Sequence, residues 1–266
     1  MRRLRRPVRA ALAAAGVPTW NELAASEPEG GLHLRQAPGW LPRGRRVYAV
    51  GDVHGCREQL AALHAMIAAD LLARPIASGV LIHLGDYIDR GPDSAGVVDM
   101  LLLGTPCGLP TINLLGDHER MLLQALDGDR ASATDWLWSG GHASLQSWAI
   151  DPDRPRESWA DALPAPHLAF LRGLPSLYRE GGYLFVHAGI RPGIAIEAQP
   201  IDDLLTIRQP FLWTTEDFGV VVVHGHSTSP APVVADNRIG IDTGAGNGGP
   251  LTCAVLETDR VGFLAA

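Results

Sequence analysis

A chain of 266 residues, 46% hydrophobic and 19% charged, is long and apolar enough to bury one large α/β domain or two small ones, which excludes an intrinsically disordered protein. All 22 basic residues are arginine, which excludes lysine Schiff-base chemistry and a Walker-type phosphate lysine. The formal charge of -7 falls to -12 once five arginines near the start (Arg2, Arg3, Arg5, Arg6 and Arg9) are set aside, so the body is acidic and suits cations better than nucleic acid.

Residues 1–44 are basic and Pro-rich, without a convincing apolar core or cleavage site. They are expected to form a frayed arm, with a signal peptide as the second reading. A single domain is expected over residues 45–266. It opens with the strand "RRVYAV", then a helix over "CREQLAALHAMIAADLLA", whose Leu60, Leu63, Ile67 and Leu71 recur at helical spacing. "GVLIHLG" reads as a buried strand and "SAGVVDMLLLG" as a helix closed by Gly104. "PTINLLG" reads as a strand and "HERMLLQALDG" as a helix stopped by Gly128. This βαβαβα order predicts a mostly parallel sheet with right-handed crossovers.

From about 131 to 182 the pattern changes. Trp136, Trp138, Trp148 and Trp159 crowd a Pro-rich stretch with helical pieces such as "APHLAFLRGLP", expected to be a helical insertion or cap packed beside the sheet. The runs "GYLFVHAG", "GVVVVHGH", "RIGIDTG", "LTCAVLE" and "RVGFLA" then predict a second sheet built largely from hairpins. The longest apolar runs are strand-sized, so no membrane span or membrane partner is expected. Cys56, Cys107 and Cys253 lie too far apart for a zinc or disulfide framework, which suits a reducing cytoplasm.

Three apolar strands end alike: "AV-GDVHG" in Asp52 and His54, "LIHL-GDYIDRG" in Asp86, Asp89 and Arg90, and "INLL-GDHE" in Asp117, His118 and Glu119. In a parallel α/β sheet such ends lie side by side, where ligands bind. "LFVHAG" adds His187, and "VVVHGH" adds His224 and His226. Two metal ions about 3.5–4 Å apart need a bridging carboxylate and several N/O donors. Asp52 and His54 can serve one ion, Asp86 can bridge, and Asp117, His187 and His226 can serve the other. With no thiolate among them, these donors favour manganese, with iron or zinc as alternatives.

The set GDVHG, GDYIDRG, GDHE, HAG and HGH, in this order from about Tyr48 onward, resembles the calcineurin-like metallophosphoesterase superfamily, specifically its bacterial serine/threonine phosphoprotein phosphatase branch. The resemblance implies a four-layer α/β/β/α sandwich of two mixed sheets and a dinuclear phosphomonoester hydrolase using metal-activated hydroxide. It assigns Asp52, His54 and Asp86 to the first metal and Asp86, Asp117, His187 and His226 to the second. It makes His118 the proton donor to the leaving oxygen, oriented by Asp89, and Arg90 a phosphate clamp. Arg208, in "TIRQPFLW", resembles a second phosphate-binding arginine. "FVHAGIRP" and "TIRQPFLW" lean toward a phosphoserine, phosphothreonine or phosphotyrosine protein substrate. The alternatives are symmetrical hydrolysis of dinucleoside tetraphosphates and a weakly active metal-binding scaffold.

The family normally has asparagine at the place of Asp117. The extra carboxylate should tighten metal binding and make the site less welcoming to phosphate. His224 reads as a strand or supporting residue, His83 as a satisfied buried histidine and His142 as structural. Cys56 reads as a packing residue, with a depressed thiol pKa as the minority reading.

Overall fold

Two mixed β-sheets packed face to face carry the architecture, in a computed structural model that describes residues 32–105 and 108–266. The N-terminal half runs β1 (Arg35–Gln36), β2 (Arg45–Val50), α1 (Arg57–Ala73), β3 (Ser78–His83), α2 (Ser94–Leu103), β4 (Thr111–Asn113) and α3 (Asp117–Leu126). Four helices follow, α4 (Arg130–Trp136), α5 (His142–Ser147), α6 (Trp159–Ala162) and α7 (Ala165–Arg172). The remainder runs β5 (Leu177–Glu180), β6 (Tyr183–Val186), α8 (Ile201–Thr206), β7 (Val221–His224), β8 (Val233–Val234), β9 (Arg238–Gly240), β10 (Thr252–Glu257) and β11 (Arg260–Ala265).

The first sheet has the order β1-β11-β10-β2-β3-β4, with β2, β3 and β4 parallel as the βαβαβα rhythm predicts. The expectation that every late strand joins the second sheet is corrected here. The β10–β11 hairpin pairs antiparallel with β2, making the first sheet mixed. A buried charge network pins that register. Arg46, 1% exposed at the start of β2, faces Glu257 at the end of β10 at 2.9 Å and Asp70 of α1 at 3.2 Å. A slip by one residue would strand the guanidinium without its carboxylates. The second sheet, β5-β6-β7-β9-β8, is not mainly hairpins either, since β6, β7 and β9 run parallel.

Alternation along β2 sorts the layers. Val47 and Ala49 point between the sheets, with Val80, Ile82, Phe185 and Val223, whereas Tyr48 and Val50 face Leu60, Leu63 and Ile67 of α1. Beyond the second sheet, Leu184, Val186 and Val222 pack on Leu204, Ile207 and Phe211, completing four layers. Trp136, Trp148 and Trp159 of the insertion are buried in the helical layer over the first sheet, Trp136 and Trp159 edge to face at 5.6 Å. Trp138, in the wide turn Leu137–Gly141, is 87% exposed.

Residues 32–44, assigned above to the arm, run along the first sheet: β1 pairs with β11, and Leu41 N–H donates to Thr258 O at 2.7 Å. The Arg-rich segment lies outside the described residues, as does Cys107. No helix among the described residues is long and apolar enough to cross a membrane.

Candidate active site

The loops after β2 and β3 are hydrogen-bonded to each other. Val53 and His54 N–H groups donate to Asp86 O at 2.9 and 2.7 Å, and Gly55 N–H donates to Tyr87 O at 2.8 Å. Five of the seven non-glycine residues with positive φ among the described residues are His54, Asp86, Asp89, Arg90 and His226. Such strain concentrated at expected site residues persists only where the surroundings over-determine it. Glu119, to which the sequence alone assigned no role, supplies much of that constraint. Fully buried at the start of α3, its carboxylate accepts from Asp86 N (2.8 Å), Gly116 N (3.1 Å), Tyr87 N (2.7 Å) and Ile88 N (3.2 Å). Replacing one oxygen by an amide in Glu119→Gln turns N–H groups against a donor. Bonds to charged groups contribute about 1.5–3 kcal/mol each, so a loss of about 3 kcal/mol is expected, read as a fall in thermal midpoint.

Asp86 sits between two groups of donors. Asp86, Asp117, His187 and His226 form one, and His54, Asp86 and His118 the other, with the ligand atoms of each within 4.8 Å of one another. His187 Nε2 lies 3.4 Å from Asp86 Oδ1, and His54 Nε2 lies 3.4 Å from Asp86 Oδ2. Asp52 falls outside both groups but lines the same cavity. Its Oδ2 accepts from His226 N–H at 2.9 Å, and its buried Oδ1 has no hydrogen-bond partner. Gly225 permits this approach, because a Cβ there would overlap Asp52 Oδ1.

The chemistry of this donor set fits a pair of divalent cations. Nδ1 of His54 and of His187 each lie 2.9 Å from a backbone carbonyl, Ile88 O and Leu84 O, which fixes Nδ1 as the donor and turns Nε2 toward the cluster. Burial, then repulsion from Asp242 and Asp86, raises Asp52 well above the usual carboxylate range, and burial with Asp117 does the same to Asp86. Two buried carboxylates that resist ionisation alone favour a cation beside them. Burial opposes the charged form of His187, but Asp117 and Asp52 lift it to about 9. A metal must therefore displace its proton at neutral pH. Manganese should bind about tenfold tighter at pH 8 than at pH 7. Titration calorimetry at both values checks this, and equal affinities would contradict it.

Asp117 Oδ1 receives both His187 Nε2 at 2.9 Å and His226 Nδ1 at 3.1 Å. An asparagine oxygen can stand in the same place without the charge. Turnover of Asp117→Asn should equal or exceed that of the native chain; complete loss with both metals retained would refute this placement.

Beside the cluster, His118 Nδ1 is 2.6 Å from Asp89 Oδ2, and Asp89 is fully buried. Ser144 of α5, from the insertion, donates to Asp89 Oδ1 at 2.5 Å, and Ser94 Oγ accepts from Asp89 N–H at 3.0 Å. Ser144 carries no sequence signal for this, since it reaches Asp89 from 55 residues away, whereas Ser94 is a local partner five residues along the chain. Burial pushes His118 down, but Asp86, Asp89 and Asp117 lift it to about 9. Arg90 donates to His54 Nε2 at 2.8 Å and to His118 Nε2 at 3.0 Å, so a proton can occupy His118 Nε2 only when Arg90 turns away. Arg90 N–H also donates to Gly140 O at 3.3 Å, and Gly140, at φ 115, lies so close that a Cβ would strike Arg90. Arg208 sits at the rim, 3.4 Å from His226 O. Asp52, Asp86, Arg90, Asp117, His118, Ser139, Thr206, Arg208 and His226 line a cavity of about 340 Å³.

The remaining expectations separate. His224 is buried beside Phe211, and His83 is buried with its ring bonded to His64 (2.9 Å) and Asn113 (2.8 Å). His142 is exposed at the start of α5. Burial raises the Cys56 thiol, so the depressed-thiol reading is corrected.

The family model for calcineurin-like phosphoesterases matches residues 45–257. A symmetrical bis(5'-nucleosyl)-tetraphosphatase of Aromatoleum aromaticum is 31% identical over 151 residues, 57% of this chain and 46% of that protein. A protein of the same name in Methylococcus capsulatus is 30% identical over 150 residues, 55% of this chain and 44% of that one. The chain thus spans less than half the length of these relatives. Among solved structures, a protein titled a putative diadenosine tetraphosphatase superposes with a TM-score of 0.60 at 24% identity, covering 83% of this chain and 93% of that chain. A cold-active protein tyrosine phosphatase superposes at 0.58 with 16% identity, covering 91% and 79%. These two likenesses bear on the fold.

Proposed function

Since the chain belongs to the calcineurin-like phosphoesterase family, we propose that it hydrolyses dinucleoside polyphosphates symmetrically at a dinuclear metal site. The preference for a phosphoprotein substrate drawn from "FVHAGIRP" and "TIRQPFLW" gives way, because the curated relatives carry tetraphosphatase names. The observation that carries the reading is the polar cavity with the carboxylate–imidazole cluster on its floor and two arginines, Arg90 and Arg208, along its wall. A chain of several phosphates needs that second cation.

Two divalent ions held by Asp52, His54, Asp86, Asp117, His187 and His226 would neutralise phosphoryl oxygens and supply water acidic enough to attack near neutral pH. Arg90 turns from the imidazoles to a phosphate oxygen and binds it with two N–H groups. That frees His118 Nε2 to hold a proton and deliver it to the departing oxygen. Asp89, fixed by Ser94 and Ser144, keeps the imidazole aimed. Manganese is the preferred ion and the cytoplasm the preferred compartment.

The test is turnover of diadenosine tetraphosphate against phosphoserine peptides with manganese. Two molecules of ADP per substrate, at a kcat/KM well above the peptides, supports the reading. Faster release of phosphate from the peptides would overturn it in favour of the protein phosphatase.

A further inference from the structure

Trp138 touches almost nothing although its neighbours on both sides are engaged. It is 87% exposed, yet its turn is fixed at two points: Gly140 O on Arg90 N–H, and Trp136 within the helical core. The next residue, Ser139, lines the phosphate cavity. An indole left in water on a rigid turn contributes nothing to folding, since burial is what stabilises an aromatic ring. The nine residues lining the cavity include no tryptophan, tyrosine or phenylalanine, and seven of them are charged or histidine side chains. The cavity accommodates phosphates, and a base attached to them must lie at its rim. There the nearest unpacked π-face in sequence is Trp138, one residue from Ser139 and two from Gly140, which abuts Arg90.

We propose that Trp138 is the stacking platform for one nucleobase of the dinucleoside polyphosphate. The inference rests on the tetraphosphatase reading and deepens it. A base held on a turn that is itself bonded to Arg90 has a set offset from the phosphate clamp. Cleavage then falls a fixed number of phosphates from that nucleoside, as a symmetrical cut requires. Stacking is tolerant of base identity because every base has a π-face, so adenine and guanine dinucleotides should both be accepted. Trp213 is the other strongly exposed tryptophan near a cavity residue in sequence, at 73%. Its segment leads away from the site: Asn237 binds Thr214 O and Glu216 O, and Thr215 lines a separate cavity with Trp40. It serves as the control.

The experiment compares native chain, Trp138→Ala, Trp138→Phe and Trp213→Ala, all loaded with manganese. KM and kcat are measured for diadenosine tetraphosphate, and Ki for tripolyphosphate, which has the phosphates and no base. Trp138→Ala should raise KM about tenfold, the scale of one lost base stack, with a smaller change in kcat and in the tripolyphosphate Ki. Trp138→Phe should recover most of the loss, and Trp213→Ala should match the native chain. Indole fluorescence of the native chain, quenched by a methylene-bridged diadenosine tetraphosphate analogue, should lose that response in Trp138→Phe. An unchanged KM in Trp138→Ala, or equal weakening of tripolyphosphate, overturns the platform while leaving the proposed function standing. A Trp138→Ala variant altered only in sedimentation would make the indole a protein-association surface and likewise overturn it. If the native chain hydrolyses p-nitrophenyl phosphate but not the dinucleotide, the functional reading itself fails and the platform with it.

Discussion

Asp86→Asn should abolish turnover, by about 10³-fold or more, while leaving the metal-free protein as stable as the native chain or more so. Asp86 is the one side chain shared by both donor groups, its Oδ1 toward His187 and its Oδ2 toward His54. Neutralising it removes the bridging charge that two neighbouring cations need, and metal-dependent stabilisation amounts to several kcal/mol of barrier. The amide keeps the shape, and its oxygen can still accept from His118 N–H as Asp86 Oδ1 does at 3.2 Å. Stability moves the other way. Burial and Asp117 hold the native carboxyl well above its usual range, so ionising it at neutral pH works against folding when no metal is present. Turnover, metal content and thermal midpoint should be read on the same sample. Retention of two metals with more than a tenth of native activity would show that Asp86 is not the bridge.

The second large effect is expected at His118. Its replacement by asparagine should slow hydrolysis of an alkyl phosphomonoester by about 10²–10⁴-fold, the usual scale of a lost general acid. An alkoxide leaves poorly without a proton, whereas a nucleoside diphosphate leaves as a stable anion. The same variant should therefore lose far less on diadenosine tetraphosphate. Asp89→Asn should follow His118→Asn in direction, because the imidazole loses the acceptor 2.6 Å from its Nδ1. Metal content should stay at the native level in both. Equal losses on the two substrates would move His118 from proton transfer to metal or phosphate binding.

Much of this site could be read before any coordinates. The three Gly-Asp corners stand at the ends of the parallel strands β2, β3 and β4 because an apolar run that stops at glycine marks both a buried strand and a backbone turn. Those corners, joined to the "LFVHAG" and "VVVHGH" runs, were enough to anticipate that His54, Asp86, Asp117, His187 and His226 lie close together. Local patterning could not reveal pairings made by distant charge. The antiparallel seat of β10 beside β2 depends on Arg46 meeting Glu257, 211 residues later in the chain. Nor could it reveal that Glu119 gathers four backbone N–H groups, since an acid in the first helical turn is ordinary capping chemistry. Nor could motif order show how Asp52 is held: it lies outside the two tight donor groups but lines the same cavity, its Oδ2 accepting from His226 N–H.

Ser144 and Gly140 both belong to the stretch that reads as an add-on, yet one grips Asp89 and the other abuts Arg90. This segment is therefore not a detachable module. A chimaera that grafts another family member's helices between α3 and β5 would inherit an intact cation cradle and a misaligned acid and clamp, unless a hydroxyl and a side-chain-free residue return to those two positions. Anyone re-engineering substrate preference by loop exchange should move the rim, around Trp138 and Ser139, and leave those two anchors untouched.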